Sequence, residues 1–290
     1  MPKRGPIGWF GGKGNAINKI LPLFPQHHTY VEPFGGGAAL LWAKDPSPVE
    51  VYNDIDSGLV NLFRVLRDEE KFARFQRLVI MTPYSREENE ICYRTWESLD
   101  DDVERAHGFF VAIRQSFSMR LGAGWAMSVT ATSKGKSMAL ASAQWLSAIE
   151  RLPEVHERLR GVQIEHADFR QVLKTYDTPR TLFYCDPPYV HETRRAGGYR
   201  YELSDQDHKD LVAKLLEIQG MAILSGYQNS IYQPLEDAGW QRLEYDLICV
   251  AAGKTRASGL QGKGTARAKQ TRVESLWLSP NCKREGLWHG

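Results

Sequence analysis

Four short runs of branched and aromatic residues in this chain each end at, or within three residues of, an acidic side chain that opens a turn: TYVE before PFGGG, VEVYN before DIDSG, VQIE before HADF, and TLFYC before DPPY. Such runs have the length and composition of buried strands. Together with Met221 to Ser225, roughly Leu243 to Val250, and Arg272 to Leu278, they make seven candidate strands: the first four are Thr29 to Glu32, Val49 to Asn53, Val162 to Glu165 and Thr181 to Cys185. Helical patterns separate several of them. In GLVNLFRVLRD, for example, Leu59, Leu62, Phe63 and Leu66 recur at one face of a helix. Alternation of this kind predicts a Rossmann-like α/β fold, an open and mostly parallel sheet covered by helices on both faces.

One connection breaks the rhythm. Asp54 to Gly161 separates the second strand from the third, far more than the dozen or so residues a crossover needs. Its content reads as helical, notably YSREENEICYRTWESL and AHGFFVAIRQSF, followed by the glycine-rich turn RLGAGW. The expected division is a catalytic domain over 1–64 and 156–290, with an inserted, mainly α-helical subdomain over 65–155.

Composition excludes some classes. With 290 residues, 42% hydrophobic and 25% charged, the chain is an ordinary globular one and neither disordered nor fibrous. Cys92, Cys185, Cys249 and Cys282 are scattered without a C-x-x-C pair, and the histidines add no ligand spacing, so no metal is expected. The start lacks the apolar core of a signal peptide, and no run of about 18 apolar residues occurs, so the expected setting is reducing and cytoplasmic, away from membranes. A net charge of +2 says little about partners. Its distribution says more, because Lys254, Arg256, Lys263, Arg267, Lys269 and Arg272 fall in a stretch with no acid.

Glu32, Asp54, Asp168 and Asp186 all stand at the C-terminal ends of candidate strands, where open α/β sheets bind ligands. Each has a plainer reading. The glycines after Glu32 allow close backbone approach to a ligand, or simply a tight turn. Asp54 can accept from ribose hydroxyls or cap the next helix, although Asp56 or Ser57 would serve as the cap and leave Asp54 free. Asp168 can equally be a helix cap. The two prolines after Asp186 can end a strand or freeze a binding turn. Four acids on one edge favour a site for an adenosine-type cofactor with a substrate beside it.

WFGGKGN, VEPFGGG, YNDID, HADF and DPPY, in this order and at these spacings, resemble the Dam-type (alpha-class) DNA adenine methyltransferases, from Trp9 to about Leu278. The resemblance implies that S-adenosylmethionine is the methyl donor, leaving as S-adenosylhomocysteine, with no metal. It implies that Trp9 and Lys13 help close the cofactor site, Lys13 near the cofactor's polar end. Glu32, Pro33, Phe34, Gly35 and Gly37 would hold the methionine moiety, Asp54 the ribose, and Asp168 with Phe169 the adenine ring. Asp186, Pro187, Pro188 and Tyr189 would form the catalytic pocket, and the helical insertion would recognise the DNA target. Without the resemblance, Trp9 and Lys13 read as a packed ring and a solvated tail, although the adjoining Gly11 and Gly12 point to close backbone approach.

The implied chemistry is methylation of the amino group of an adenine flipped out of double-stranded DNA. Asp186 and the Pro187 carbonyl can each accept an amino hydrogen, and Tyr189 can stack on the base. The stretch from Gly253 to Arg272 reads either as a phosphate-contacting loop or as a solvated one. In the insertion, Arg114, Gln115 and Arg120 can read base edges or occupy ordinary surface positions. Methylation of RNA, or of a cytosine or glutamine amino group, and a catalytically dead DNA-binding regulator are the competing expectations. Double-stranded DNA is the expected partner, and both a solitary enzyme and one paired with a restriction endonuclease of the same system are compatible with the sequence.

Overall fold

A computed structural model describes residues 4–9, 11–129, 138–190, 200–248 and 271–283. Seven strands form one sheet: β1 (Thr29–Glu32), β2 (Val49–Asn53), β3 (Val162–Glu165), β4 (Thr181–Cys185), β5 (Met221–Gly226), β6 (Gln241–Ile248) and β7 (Thr271–Leu278). Their order is β3-β2-β1-β4-β5-β7-β6. The pairs β1/β2, β1/β4, β2/β3 and β4/β5 are parallel, and β7 lies antiparallel to β5. The sheet is therefore mixed and mostly parallel, with flanking helices, as the alternating pattern predicts. The first five strands fall where the sequence puts them, apart from one extra residue, Gly226, at the end of β5. The last two begin earlier than expected, at Gln241 and Thr271.

Why β4 and β5 sit centrally is visible in their composition. TLFYC and MAILSG are buried at every position, as parallel strands covered on both faces must be. In the sequence the helices are α1 (Ile17–Ile20), α2 (Ala39–Ala43), α3 (Ser57–Arg67), α4 (Glu69–Met81), α5 (Arg86–Thr95), α6 (Asp102–Arg114), α7 (Leu140–Glu150), α8 (Leu152–Leu159), α9 (Phe169–Tyr176), α10 (Asp205–Glu217) and α11 (Gln233–Asp237). Val172 and Leu173 of α9, Leu211, Val212 and Leu215 of α10, and Leu235 of α11 join Val31, Val51, Phe183 and Leu224 of the strands in one apolar core. A Ser204–Asp207 capping box starts α10.

The chain divides into two compact units. One comprises 13–60, 161–247 and 272–290 and carries the sheet; the other comprises 1–12, 61–160 and 248–271. The second unit is helical around α6, whose residues from Gly108 to Ile113 are all buried. Such a helix can only be a central one. Phe110 meets Phe75 edge-on and packs on Trp145, while Phe109 packs on Trp96. Gly108 is required there, because a Cβ would stand 2.9 Å from Cβ of Trp96. Asp68 caps α4 and Asp101 caps α6. After α6, an isolated antiparallel bridge joins Ser116 to Trp125 across a turn in which Gly122 and Gly124 have positive φ. Among the described residues no helix is long and apolar enough to cross a membrane.

Candidate active site

The strand order reverses between β1 and β4, and a parallel sheet opens a crevice beyond the carboxyl ends of its strands at such a point. Glu32 ends β1, and Asp186 follows β4. Their turns are built differently.

After β1, the chain turns on glycines. Gly35 N–H donates to the Asn53 carbonyl at 2.7 Å, and the Tyr52 hydroxyl donates to the Gly36 carbonyl at 2.9 Å. Only glycine fits at 35: a Cβ would lie 2.2 Å from Cε2 of Tyr52. Asp54 closes the arrangement, one oxygen accepting from Gly36 N–H at 2.7 Å and the other from Asp56 N–H at 2.8 Å. Asp56 does cap α3, accepting from Gly58 and Leu59, but Asp54 is not left free by it. Burial pushes the Asp54 carboxyl up to about 6 against these two bonds. Asn53, to which sequence reasoning assigns no role, ties three turns together. Its amide donates to the carbonyls of Pro33 and Ala167 and accepts from Ala167 N–H. Phe34 and Phe169 meet across this edge with ring centroids 5.1 Å apart.

Asp168 is the N-cap of α9, accepting from Arg170 N–H at 2.8 Å and from the Arg170 guanidinium at 3.0 Å. That guanidinium also binds Asp207 and Asp210 and lies 4.4 Å from the centroid of the Phe169 ring. Glu32 is inward-facing and held by the Tyr30 hydroxyl and Leu41 N–H on a single oxygen. Burial raises its carboxyl to about 7.

After β4, a buried polar cluster surrounds Asp186. The Lys13 ammonium donates to Asp186 Oδ1 and to the Tyr189 hydroxyl, each at 2.7 Å. Tyr189 donates to Glu274 Oε2 at 2.9 Å and lies 3.2 Å from the Ser225 hydroxyl. Tyr245 reaches the same Glu274 oxygen at 3.1 Å and Tyr227 the other at 3.4 Å. Tyr227 also meets the Tyr189 ring edge-on, centroids 4.8 Å apart. Burial pulls the Lys13 ammonium down, but Asp186 and Glu274 outweigh it, so Lys13 stays charged well above its ordinary range. Burial pushes Asp186 up to about 6, with Glu274 adding and Lys13 opposing. At neutral pH the cluster thus holds an ionised acceptor at the sheet edge. Such an acceptor is suited to an N–H donor that develops positive charge.

Glu32, Asp54, Phe34, Phe169, Asp186 and Lys13 all belong to the sheet-bearing unit, whereas Trp9 belongs to the helical one, its ring 6.3 Å from Phe109. Of the residues expected to read DNA, Gln115 is buried, accepting from Ser85 N–H and donating to the Pro83 carbonyl. Arg114 binds Met119 Sδ and the Gln144 carbonyl, and burial lowers its guanidinium to about 10. Among the described residues of this set, only Arg120 is exposed. Lys254, Arg256, Lys263, Arg267 and Lys269 lie outside the described residues. Sequence reasoning misses Ser225, Tyr227, Tyr245 and Glu274; the signal for Glu274 is a lone acid in an apolar strand, Val273 to Leu278.

A family model for the D12 class N6 adenine-specific DNA methyltransferases matches residues 9–236. The chain belongs to this family. It is an adenine-specific DNA methyltransferase, and the cluster around Asp186 stands within the matched span except for Tyr245 and Glu274. The type II methyltransferase M1.LlaDCHI of Lactococcus lactis subsp. cremoris is 24% identical over 281 residues, covering 91% of this chain and 92% of that protein. The type II methyltransferase M.FokI of Planomicrobium okeanokoites is 24% identical over 204 residues, covering 66% of this chain but 29% of its own length.

Proposed function

We propose that this methyltransferase is of the Dam-type, alpha-class arrangement, takes its methyl group from S-adenosylmethionine, and acts on an adenine flipped out of double-stranded DNA. The observation that carries this reading is the position of Asp186 at the strand-order reversal, paired with Lys13, with Tyr189 held by Glu274 beside it.

The residues on this edge fit such a donor. Phe34, half-buried, offers an apolar face to an adenine ring and is backed by the buried Phe169, with Asp168 at the N-terminal end of α9 next to them. Asp54 offers a carboxylate for ribose hydroxyls through its remaining lone pairs. Asp186 gives negative charge for a cationic sulfonium and ammonium, Glu32 adds a carboxyl group at the end of β1, and the turn from Pro33 to Gly37 gives backbone at close range. When bound, the donor supplies an electrophilic methyl group.

The chain's own residues do the rest. An adenine amino nitrogen is a weak nucleophile because its lone pair is delocalised into the ring. Asp186 and the Pro187 carbonyl accept its two hydrogens, draw it toward tetrahedral geometry and stabilise the charge it gains. Pro187 and Pro188 fix the backbone dihedrals between acceptor and aromatic ring, since displacement tolerates little error in approach. Tyr189 lies beside this acceptor pair, and stacking of its ring on the extruded base would offset part of the few kcal/mol that flipping costs. Lys13 keeps Asp186 ionised and oriented rather than serving the cofactor alone.

The helical unit recognises the target, Arg120 being the exposed candidate among the residues named for base contact, and the basic stretch from Lys254 to Lys269 meets phosphates. The reading fits a solitary enzyme as well as one paired with a restriction endonuclease, in the cytoplasm. The test is to incubate the purified protein with duplex DNA and methyl-labelled S-adenosylmethionine, then map modified bases by mass spectrometry and methylome sequencing. Label in N6-methyladenine at a defined sequence is expected; label in cytosine, or bound cofactor with no transfer, would reject it.

A further inference from the structure

We propose that Glu274, on the antiparallel strand β7, is a positioning residue for methyl transfer that anchors the Tyr189 hydroxyl and so sets how the ring and Lys13 present themselves to Asp186. This rests on the roles of Asp186 and Tyr189 proposed above. Glu274 lies beyond the matched family span and outside every motif that carries the resemblance.

The geometry is specific. Glu274 Oε2 accepts from Tyr189 at 2.9 Å and Tyr245 at 3.1 Å, and stands 3.7 Å from the Lys13 ammonium. Its other oxygen accepts from Tyr227, which itself abuts the Tyr189 ring. One carboxylate therefore fixes both the hydroxyl of Tyr189 and the neighbour that limits its rotation. The position follows from the sheet: Ser225 and Gly226 pair with Leu276 and Ser275, so Glu274 continues past the end of β5 to the edge where Asp186 emerges. At 7% exposure, an unpaired carboxylate would be costly, and three hydroxyl donors plus a cation satisfy it. A residue used only for packing would need no such set of donors.

Charge gives a second handle. The titratable groups facing Asp186 among the described residues are Lys13 from the N-terminal segment, Glu32 from β1, Tyr184 and Cys185 from β4, Tyr189 from the following turn, Tyr232 from the turn before α11, Tyr245 from β6 and Glu274 from β7. Glu274 is the like charge that raises the Asp186 carboxyl, so neutralising it lowers the pH at which Asp186 protonates.

The experiment compares Glu274→Gln and Glu274→Asp with the parent enzyme in single-turnover methylation across pH, alongside cofactor binding and melting temperature. Glu274→Gln is expected to slow the chemical step, up to about a hundredfold for a misplaced ring. It should move the acid limb of the profile to lower pH and leave cofactor affinity unchanged. Glu274→Asp keeps the charge but shortens the reach; it should lose rate with the acid limb in place. In a Tyr189→Phe background, the loss caused by Glu274→Gln should shrink, because the two act through one hydrogen bond. Parent-like rates in both variants overturn the proposal, as does a loss undiminished by Tyr189→Phe with an unmoved acid limb. A parent enzyme without adenine methylation would reject the proposed role of the site instead. The influence of Glu274 would then still be tested by carboxyl-carbon NMR, where an Asp186 titration unchanged by Glu274→Gln rejects it.

Discussion

The ammonium of Lys13 stands 2.7 Å from Asp186 Oδ1, joining the first segment of the sheet-bearing unit to the turn after its central strand. A largely buried pair of this kind favours the ionised carboxylate and makes both partners dependent on each other. Lys13→Met should therefore destabilise the protein by about 3–5 kcal/mol near pH 8, measured by denaturant unfolding. The sign with pH follows. Without the ammonium, Asp186 and Glu274 repel, the folded-state pKa of Asp186 rises further above its unfolded value, and stability rises as pH falls. The deficit should shrink between pH 8 and pH 5, and a deficit independent of pH would place the loss in packing instead.

Asp186→Ala should reduce methyl transfer by about a hundredfold to a thousandfold, the usual effect of removing one preorganised partner from developing charge. Cofactor binding, followed by calorimetry, should be largely kept. Near-normal turnover would remove Asp186 from the reaction.

Asp54→Asn tests a half-buried carboxyl by linkage. Burial holds this group at about 6, above its unfolded value of 3.8, so its contribution favours the fold at low pH and is lost as pH rises toward 6. Asparagine does not titrate, and its NH2 must face one of the N–H groups of Gly36 and Asp56. The variant should be less stable, with the gap to the parent narrowing as pH rises from 4 to 7. Cofactor affinity should fall with the ribose interaction; an unchanged affinity would confine Asp54 to holding the glycine turn.

Gln115 and Arg120 should part company. Gln115→Ala leaves Ser85 N–H and the Pro83 carbonyl without partners in a buried place, and should cost about 1–3 kcal/mol of stability without changing sequence preference. Arg120→Ala should fold normally and relax recognition at one position by roughly 1–3 kcal/mol, read from methylome mapping. An unaltered recognition sequence would move specificity elsewhere.

Replacing Arg267 and Lys269 with Ala should weaken binding to all duplex sequences alike. The slope of log affinity against log salt should flatten by about 0.9 for each phosphate that is no longer neutralised. An unchanged slope would mean that these side chains are merely solvated.

Much of the sheet was legible because its strands are uniformly branched or aromatic. TLFYC or VEVYN has few other uses. Asp186 and Tyr189 could be placed at a strand end for the same reason. The partners of Lys13 could not, since they come from distant turns and the pairing exists only once strands β1, β4, β5 and β7 lie side by side. Asp168 shows the limit from another direction: a carboxylate after a strand caps a helix and meets a ligand with the same local sequence, and only its bonds to Arg170 reveal the first use. Arg114 and Gln115 were ambiguous because helical periodicity does not say how deeply the end of α6 is buried.

The sheet order has a bearing on how the enzyme comes into being on the ribosome. Of the seven described strands β7 is synthesised last, yet it lies between β5 and β6, both made before it. β6 can join the sheet only when β7 arrives to bridge the gap, and Glu274 arrives with it. Until then Lys13, Tyr189 and Asp186 lack their counterpart from the far end of the chain. A nascent polypeptide that has not yet released β7, or one cut short before Thr271, would hold every motif that carries the family resemblance and yet lack Glu274 and its bonds to Tyr189 and Tyr245.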